Sequence, residues 1–131
     1  MKKTLLSVSV WLLAAGAHAA GWSRIDAPSA DLRLYVDQST AEKSGPGMVK
    51  LWHVADYAQP QDRDGKAYRS IKFRNEYDCD KGMVRDLLRS WHKEPMGEGL
   101  VVYWNHGPWP WTQPEAGSAD ETLLRATCSA N

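Results

Sequence analysis

The chain has 131 residues and a formal net charge of zero, with 16 Lys and Arg residues balanced by 16 Asp and Glu residues. A nucleic-acid partner usually requires a basic surface, so this balance argues against one. The length is sufficient for one domain and not for two.

The N-terminus has the pattern of a secretory signal peptide. Lys2 and Lys3 carry the positive charge, Leu5–Ala15 is a short apolar run, and Ala17 and Ala19 are the small residues that a signal peptidase requires. The run is too short to span a membrane, which takes roughly 20 apolar residues.

We therefore predict that residues 1–19 form a signal peptide and that residues 20–131 form one exported domain. After cleavage no transmembrane span is expected. The protein would be periplasmic, displayed on the cell surface or secreted.

Alternating apolar and polar residues predict an antiparallel sheet with one face in water. The pattern is present in Leu32–Asp37, in Met48–Ala55 and, at greatest length, in Ala67–Cys79. Glycine-containing turn signals at Ser44–Gly47, Asp64-Gly65 and Asp80–Gly82 separate these segments, as in a series of hairpins.

Two further segments carry weaker or different signals. Met83–His92 has apolar residues at helical spacing but is bounded by turns, so periodicity favours a helix while the surroundings favour a strand. Leu100–Trp104 is an almost continuous apolar run, which predicts a strand buried on both faces.

The C-terminal segment predicts a short helix over about Ala119–Thr127. Ser118 and Glu121 have the spacing of a capping box, in which each side chain caps a backbone N–H group. Cys79 and Cys128 are the only cysteines, and an exported protein meets an oxidising environment, so we predict a disulfide between them. The predicted fold is α+β and mainly β, an antiparallel sheet of about five or six strands with a C-terminal helix packed on it.

The order of several short motifs resembles the bacterial surface-adhesin E family. The motifs are Tyr35-Val36-Asp37, Lys72, Tyr77-Asp78-Cys79, Gly97-Glu98-Gly99 and the helix that ends in Cys128. The resemblance implies that Met83–His92 is a strand. It also implies a non-enzymatic adhesin that contacts host matrix and plasma proteins such as laminin and vitronectin.

Two features depart from that family. The chain has no cysteine near the signal cleavage site to carry a lipid anchor. The turn before the last helix is typically Pro-Gly-Ser in the family, whereas here Glu115-Ala116 separates Pro114 from Gly117-Ser118. The missing anchor leaves an alternative function open, a periplasmic module that binds a cell-envelope glycan or a protein partner.

A tryptophan-rich segment supplies the candidate ligand contacts, which are Trp104, His106, Trp109 and Trp111. Tryptophans on a proline-stiffened loop can form an apolar platform for a protein segment or a sugar ring. The competing interpretation is that they belong to the core, since Trp104 continues an apparently buried strand.

No catalytic motif, metal-ligand spacing or cofactor-binding motif is evident. His53, His92 and His106 are best explained as surface or core-edge residues. We therefore expect no catalytic residue, no metal and no cofactor, with a small hydrolase as the remaining enzymatic hypothesis. An open sheet edge would permit a homodimer.

Overall fold

The computed structural model describes residues 21–130 and shows one six-stranded antiparallel sheet followed by a helix. The strands pair in chain order, each with the next, as expected for consecutive hairpins. The predicted signal peptide and its cleavage site lie outside the described residues. The strands are β1 (Trp22–Ile25), β2 (Leu32–Gly45), β3 (Met48–Arg63), β4 (Lys66–Asp78), β5 (Met83–His92) and β6 (Val101–His106), and the helix is α1 (Ala119–Ala130).

The hairpin turns depend on backbone conformations that glycine adopts readily. Gly47 in the β2–β3 turn has φ +67°, and Gly82 in the β4–β5 turn has φ +65°. At Gly47 the space is also filled, since an added Cβ would lie 2.2 Å from Oδ2 of Asp80. Its carbonyl accepts a hydrogen bond from the Cys79 N–H at 2.8 Å, so the turn cannot move away freely.

We expect Gly47→Ala to destabilise the protein more than Gly82→Ala. Both substitutions impose a strained positive φ, worth about 1–3 kcal/mol, but a Cβ at Gly82 would meet nothing within 4 Å. Urea denaturation of the two variants would separate steric overlap from backbone strain. Equal losses of stability would show that the contact with Asp80 costs nothing.

The core lies between one face of the sheet and α1. Its buried side chains alternate along the inner strands, because successive residues of a strand point to opposite faces. The buried apolar set includes Leu34, Val36, Val49, Leu51, Ile71, Phe73, Tyr77, Val84, Trp91 and, from the helix, Leu123. We call this the core face and the opposite one the outer face.

The predicted disulfide between Cys79 and Cys128 is confirmed, with a Cα–Cα distance of 5.6 Å. It joins the residue after β4 to α1 and ties the helix to the sheet. At the start of α1, Ser118 Oγ accepts a hydrogen bond from the Glu121 N–H at 3.2 Å. The Glu121 carboxylate accepts one from the Gly117 N–H at 3.3 Å, one residue earlier than the usual capping box places it.

Met83–His92 is a strand, as the family resemblance implied, and the helical interpretation from periodicity is wrong. A bulge explains the misleading pattern. Arg74 pairs with Leu88 while Asn75 pairs with Asp86, so Leu87 is an extra residue in β5. Such an insertion reverses the alternation of faces, which places both Val84 and Trp91 in the core despite their odd separation.

The prediction that Leu100–Trp104 is buried on both faces is wrong. β6 is an edge strand, paired with β5 alone, and Leu100 and Trp104 are exposed. An apolar run does not distinguish a central strand from an edge strand, because position in the sheet depends on the other strands.

The outer face of β4 is less exposed to solvent than the alternation of apolar and polar residues predicted. Ser70 is fully buried, because the 3₁₀ turn Pro95–Gly97 covers it and the Gly97 N–H donates to its Oγ at 2.8 Å. Glu76 is also buried and accepts a hydrogen bond from Arg85 Nε at 2.7 Å.

Candidate binding surface

Exposed large apolar side chains of the described residues are confined to a ten-residue segment that contains β6. They are Leu100, Val101, Tyr103, Trp104 and Trp109, between 37% and 68% exposed. Exposed apolar patches on a small domain commonly mark interaction sites. We call residues 100–109 the apolar edge.

The backbone of β6 also has an unpaired side. The Gly107 N–H donates to the Leu87 carbonyl of β5 at 2.8 Å. In an antiparallel strand the backbone groups of alternate residues point to the same side, so those of Tyr103 and Asn105 also face β5. The N–H and C=O groups of Trp104 and His106 point away from the sheet.

Lys66 and two prolines limit this open stretch. Lys66 Nζ donates to the Val102 carbonyl at 3.4 Å and covers that acceptor. Pro108 and Pro110 follow β6 and provide no N–H donor. Lysines and prolines of this kind restrict pairing at sheet edges, so the available edge is centred on Trp104 and His106.

The side chains proposed as ligand contacts differ in exposure and in their neighbours. Trp104 and His106 stack with ring centroids 5.6 Å apart and an interplanar angle of 18° on the outer face. Trp109 is about half exposed, 49%, in the loop. Trp111 is partly buried against Arg85, whose guanidinium lies 4.6 Å from its ring centre. Trp104, His106 and Trp109 are therefore accessible, and Trp111 is partly structural.

Arg63 supports the apolar edge from the core face, a role that was not predicted from the sequence. Its guanidinium contacts both rings of the Trp91–Tyr103 pair, 4.0 Å from the ring centre of Tyr103 and 4.3 Å from that of Trp91. Its Nε has no hydrogen-bond partner among the described residues. Cation–π contacts of this kind gain strength when water is excluded. No sequence pattern identifies this contact, because β3 and β6 are not neighbours in the sheet.

His53 belongs to the core, and the prediction of a surface or core-edge histidine is wrong for this residue. It is fully buried, with Nε2 2.8 Å from the Tyr77 hydroxyl and Nδ1 3.2 Å from the Tyr35 carbonyl. Burial lowers the pKa of His53 to about 4, so the imidazole is neutral at pH 7. Burial likewise raises the pKa of Tyr77.

No group of three or more potential metal ligands occurs among residues 21–130. No helix in that part of the chain combines the length and apolar character needed to cross a membrane. The accessible chemistry of this surface consists of indole rings, an imidazole and unpaired backbone groups, which suits binding.

Comparison with solved structures shows which known fold the chain has. The chain is similar to Haemophilus influenzae protein E in crystal form II, with a TM-score of 0.62, 13% sequence identity and coverage of 85% of this chain and 89% of that chain. For the selenomethionine form of protein E the TM-score is 0.59, with 14% identity and coverage of 84% and 87%. At these identities the likeness establishes the fold.

A search of the curated proteins found no match. The sequence model of the family described as surface-adhesin protein E matches residues 22–129, which is nearly all of the described chain. The chain therefore belongs to the surface-adhesin protein E family.

Proposed function

We propose that the chain is an exported, non-enzymatic binding protein that contacts a protein partner through the apolar edge. The supporting observation is the confinement of exposed large apolar side chains, among the described residues, to residues 100–109. Membership of an adhesin family supports a binding role. Host matrix and plasma proteins are the proposed partners.

The proposed mode of contact is strand addition. A short extended segment of the partner would pair with the outward N–H and C=O groups of Trp104 and His106. The exposed indoles of Trp104 and Trp109 would supply the apolar contacts, since tryptophans are frequent interface hot spots. Main-chain pairing provides affinity in such complexes, and the flanking side chains provide selectivity.

Substitutions at His106 test this mode directly. His106→Pro removes an outward N–H donor and leaves the inward bonds of Asn105 and Gly107, whereas His106→Ala removes the imidazole and keeps the donor. We expect His106→Pro to weaken binding to immobilised laminin or vitronectin by about tenfold, equivalent to one hydrogen bond and its desolvation cost. His106→Ala should weaken it less.

The double variant Trp104→Ser with Trp109→Ser is expected to abolish detectable binding while circular dichroism stays unchanged, because both side chains are exposed. Trp22→Ser, in the strand at the far edge of the sheet, is the control. Wild-type affinity in the double variant, or equal affinity of the two His106 variants, would exclude strand addition at β6.

Cellular location is proposed to be the cell surface, and protease treatment of intact cells tests it. Cleavage of the chain while a periplasmic control protein survives would support a host-facing role. Protection until the outer membrane is opened, with no chain in the medium, would instead support a periplasmic module with an envelope partner.

A further inference from the structure

The outer face carries a second surface, distinct from the free backbone of β6. Strand register places Val54, Lys72, Ser90 and Trp104 in one row across β3–β6. A neighbouring row contains Trp52, Arg74, Leu88 and His106. We define the outer trough as the set Trp52, Lys72, Arg74, Leu88, Ser90 and Trp104.

Aromatic rings lie at the two ends of the outer trough. Trp104 is 61% exposed and is extended by the stacked His106 ring. Trp52, on β3, is partly buried, and Lys72 Nζ lies 5.2 Å from its ring centre. The two tryptophans are three strand spacings apart, roughly 14 Å, and two residues apart along the strands, roughly 7 Å, so about 16 Å separates them. This separation suits a short oligosaccharide.

The charge in the middle of the outer trough is positive and is carried by two partly buried side chains, Lys72 and Arg74. Lys72 makes no ion pair with any residue from 21 to 130. Arg74 pairs with Glu42 at 2.9 Å, but the Glu42 side chain is 59% exposed, so solvent screening leaves the pair weak.

Apart from the exposed Glu42, three acidic groups near the outer trough, Asp37, Asp56 and Glu76, are buried and bonded to internal donors. Asp56 accepts a hydrogen bond from the Met96 N–H at 3.1 Å. Asp37 accepts one from the Ser39 N–H at 3.0 Å. Glu76 accepts the Arg85 guanidinium. These three carboxylates are directed to internal donors, so Glu42 is the acid that competes with a ligand for Arg74, and Lys72 has no acidic partner among residues 21–130.

The remaining polar groups of the outer trough are side chains. The strands β4 and β5 each have a paired strand on both sides, so their backbone N–H and C=O groups are engaged in hydrogen bonds within the sheet. A peptide would find no main-chain partner here and would pair better at the β6 edge. The Ser90 hydroxyl is already engaged, since it donates to the Lys72 carbonyl at 3.3 Å and lies 2.8 Å from His92 Nε2. A ligand rich in hydroxyl and acidic groups can use the two cations, while an indole stacks on its apolar face.

From these observations we propose that the outer trough binds an acidic saccharide. One sugar ring stacks on Trp104, and a carboxylate or sulfate of the same chain lies against Lys72 and Arg74. This proposal does not rest on strand addition at β6, because Lys72 lies two strands away from the free backbone edge.

Calorimetric titration with three tetrasaccharides tests the proposal: a heparin-derived one, an oligogalacturonate and the neutral cellotetraose. We expect saturable binding of both acidic probes, weakened by salt, and at least tenfold weaker binding of cellotetraose. The relative affinity of the two acidic probes shows whether the site prefers a sulfated saccharide or one that carries only carboxylates.

Matched substitutions locate the site. Lys72→Met keeps most of the side-chain volume and loses the charge, so affinity for the acidic probes should fall at least fivefold. Trp104→Ala should abolish binding. Lys66→Met and Trp109→Ala, a cation and an indole outside the outer trough, should bind as the wild type does.

Three results would overturn the proposal. They are no saturable binding of either acidic probe, equal affinity of wild type and Lys72→Met, and an acidic tetrapeptide or a short oligonucleotide that binds as tightly with the same variant pattern. Lys72→Met is expected to leave laminin or vitronectin binding unchanged, so failure at the trough is distinguishable from failure at the β6 edge.

Discussion

Replacing Cys79 and Cys128 with alanine is expected to lower the free energy of unfolding by about 4 kcal/mol. The bridge closes a loop with a sequence separation of 49 residues, and loop-closure entropy assigns roughly this value to it. Small domains have a total stability of roughly 5–15 kcal/mol. The double variant should therefore unfold at a much lower urea concentration, with α1 released from the sheet first.

Reduction of the wild-type protein provides the control for this prediction. A reductant should lower the denaturation midpoint of the wild type to that of the double variant and leave the variant unaffected. Reduction should also add the mass of two hydrogen atoms to the wild-type chain alone. A variant as stable as the oxidised wild type would show that the core holds α1 without the bridge.

Acidification is expected to destabilise the protein through His53. Its pKa is about 4 in the folded protein, because of burial, and near 6.5 in the unfolded chain. Between these values the unfolded chain binds a proton that the folded protein does not bind, so stability falls as the pH is lowered from about 6.5 towards 4. The loss of unfolding free energy due to His53 amounts to about 3 kcal/mol near pH 4 and is absent above pH 7.

Comparison of His53→Gln with Tyr77→Phe isolates this contribution. Tyr77→Phe removes the hydroxyl that contacts Nε2 and keeps the imidazole, so its stability should still depend steeply on pH. In His53→Gln the change of the unfolding free energy with pH should be smaller by the contribution of one proton, about 1.4 kcal/mol per pH unit. Burial also lowers the pKa of His92, so a smaller slope of the same sign should remain. Equal slopes for His53→Gln and the wild type, measured by urea denaturation from pH 4 to 8, would exclude His53 as the source.

Sequence periodicity predicted the strands in which successive side chains alternate regularly between the core face and the outer face. β4 alternates over most of its length because it lies in the middle of the sheet and packs its inner side chains against α1. The pattern did not predict β5, where the extra Leu87 shifts the faces and imitates a helix. A bulge is set by pairing with another strand, and a single segment carries no reliable sign of it.

The candidate contact residues illustrate the same limit. The tryptophans could be found by their density in the sequence, but their exposure could not. Trp104 lies at an open edge while Trp91, one strand away, is buried. Arg63 and Lys66 contribute to the apolar edge only because the β3–β4 hairpin reaches Tyr103 and Val102.

The sequence by itself predicted the three turns between β2 and β5, the disulfide, the C-terminal helix and the family, because each depends on local patterns or on residue types in a given order. It gave no sign of β1. Tertiary structure alone decided which strand lies at the edge, which indoles are exposed and which acids are buried away from Lys72. These properties depend on the identity of the neighbouring strand, and burial energy is shared among residues far apart in the chain.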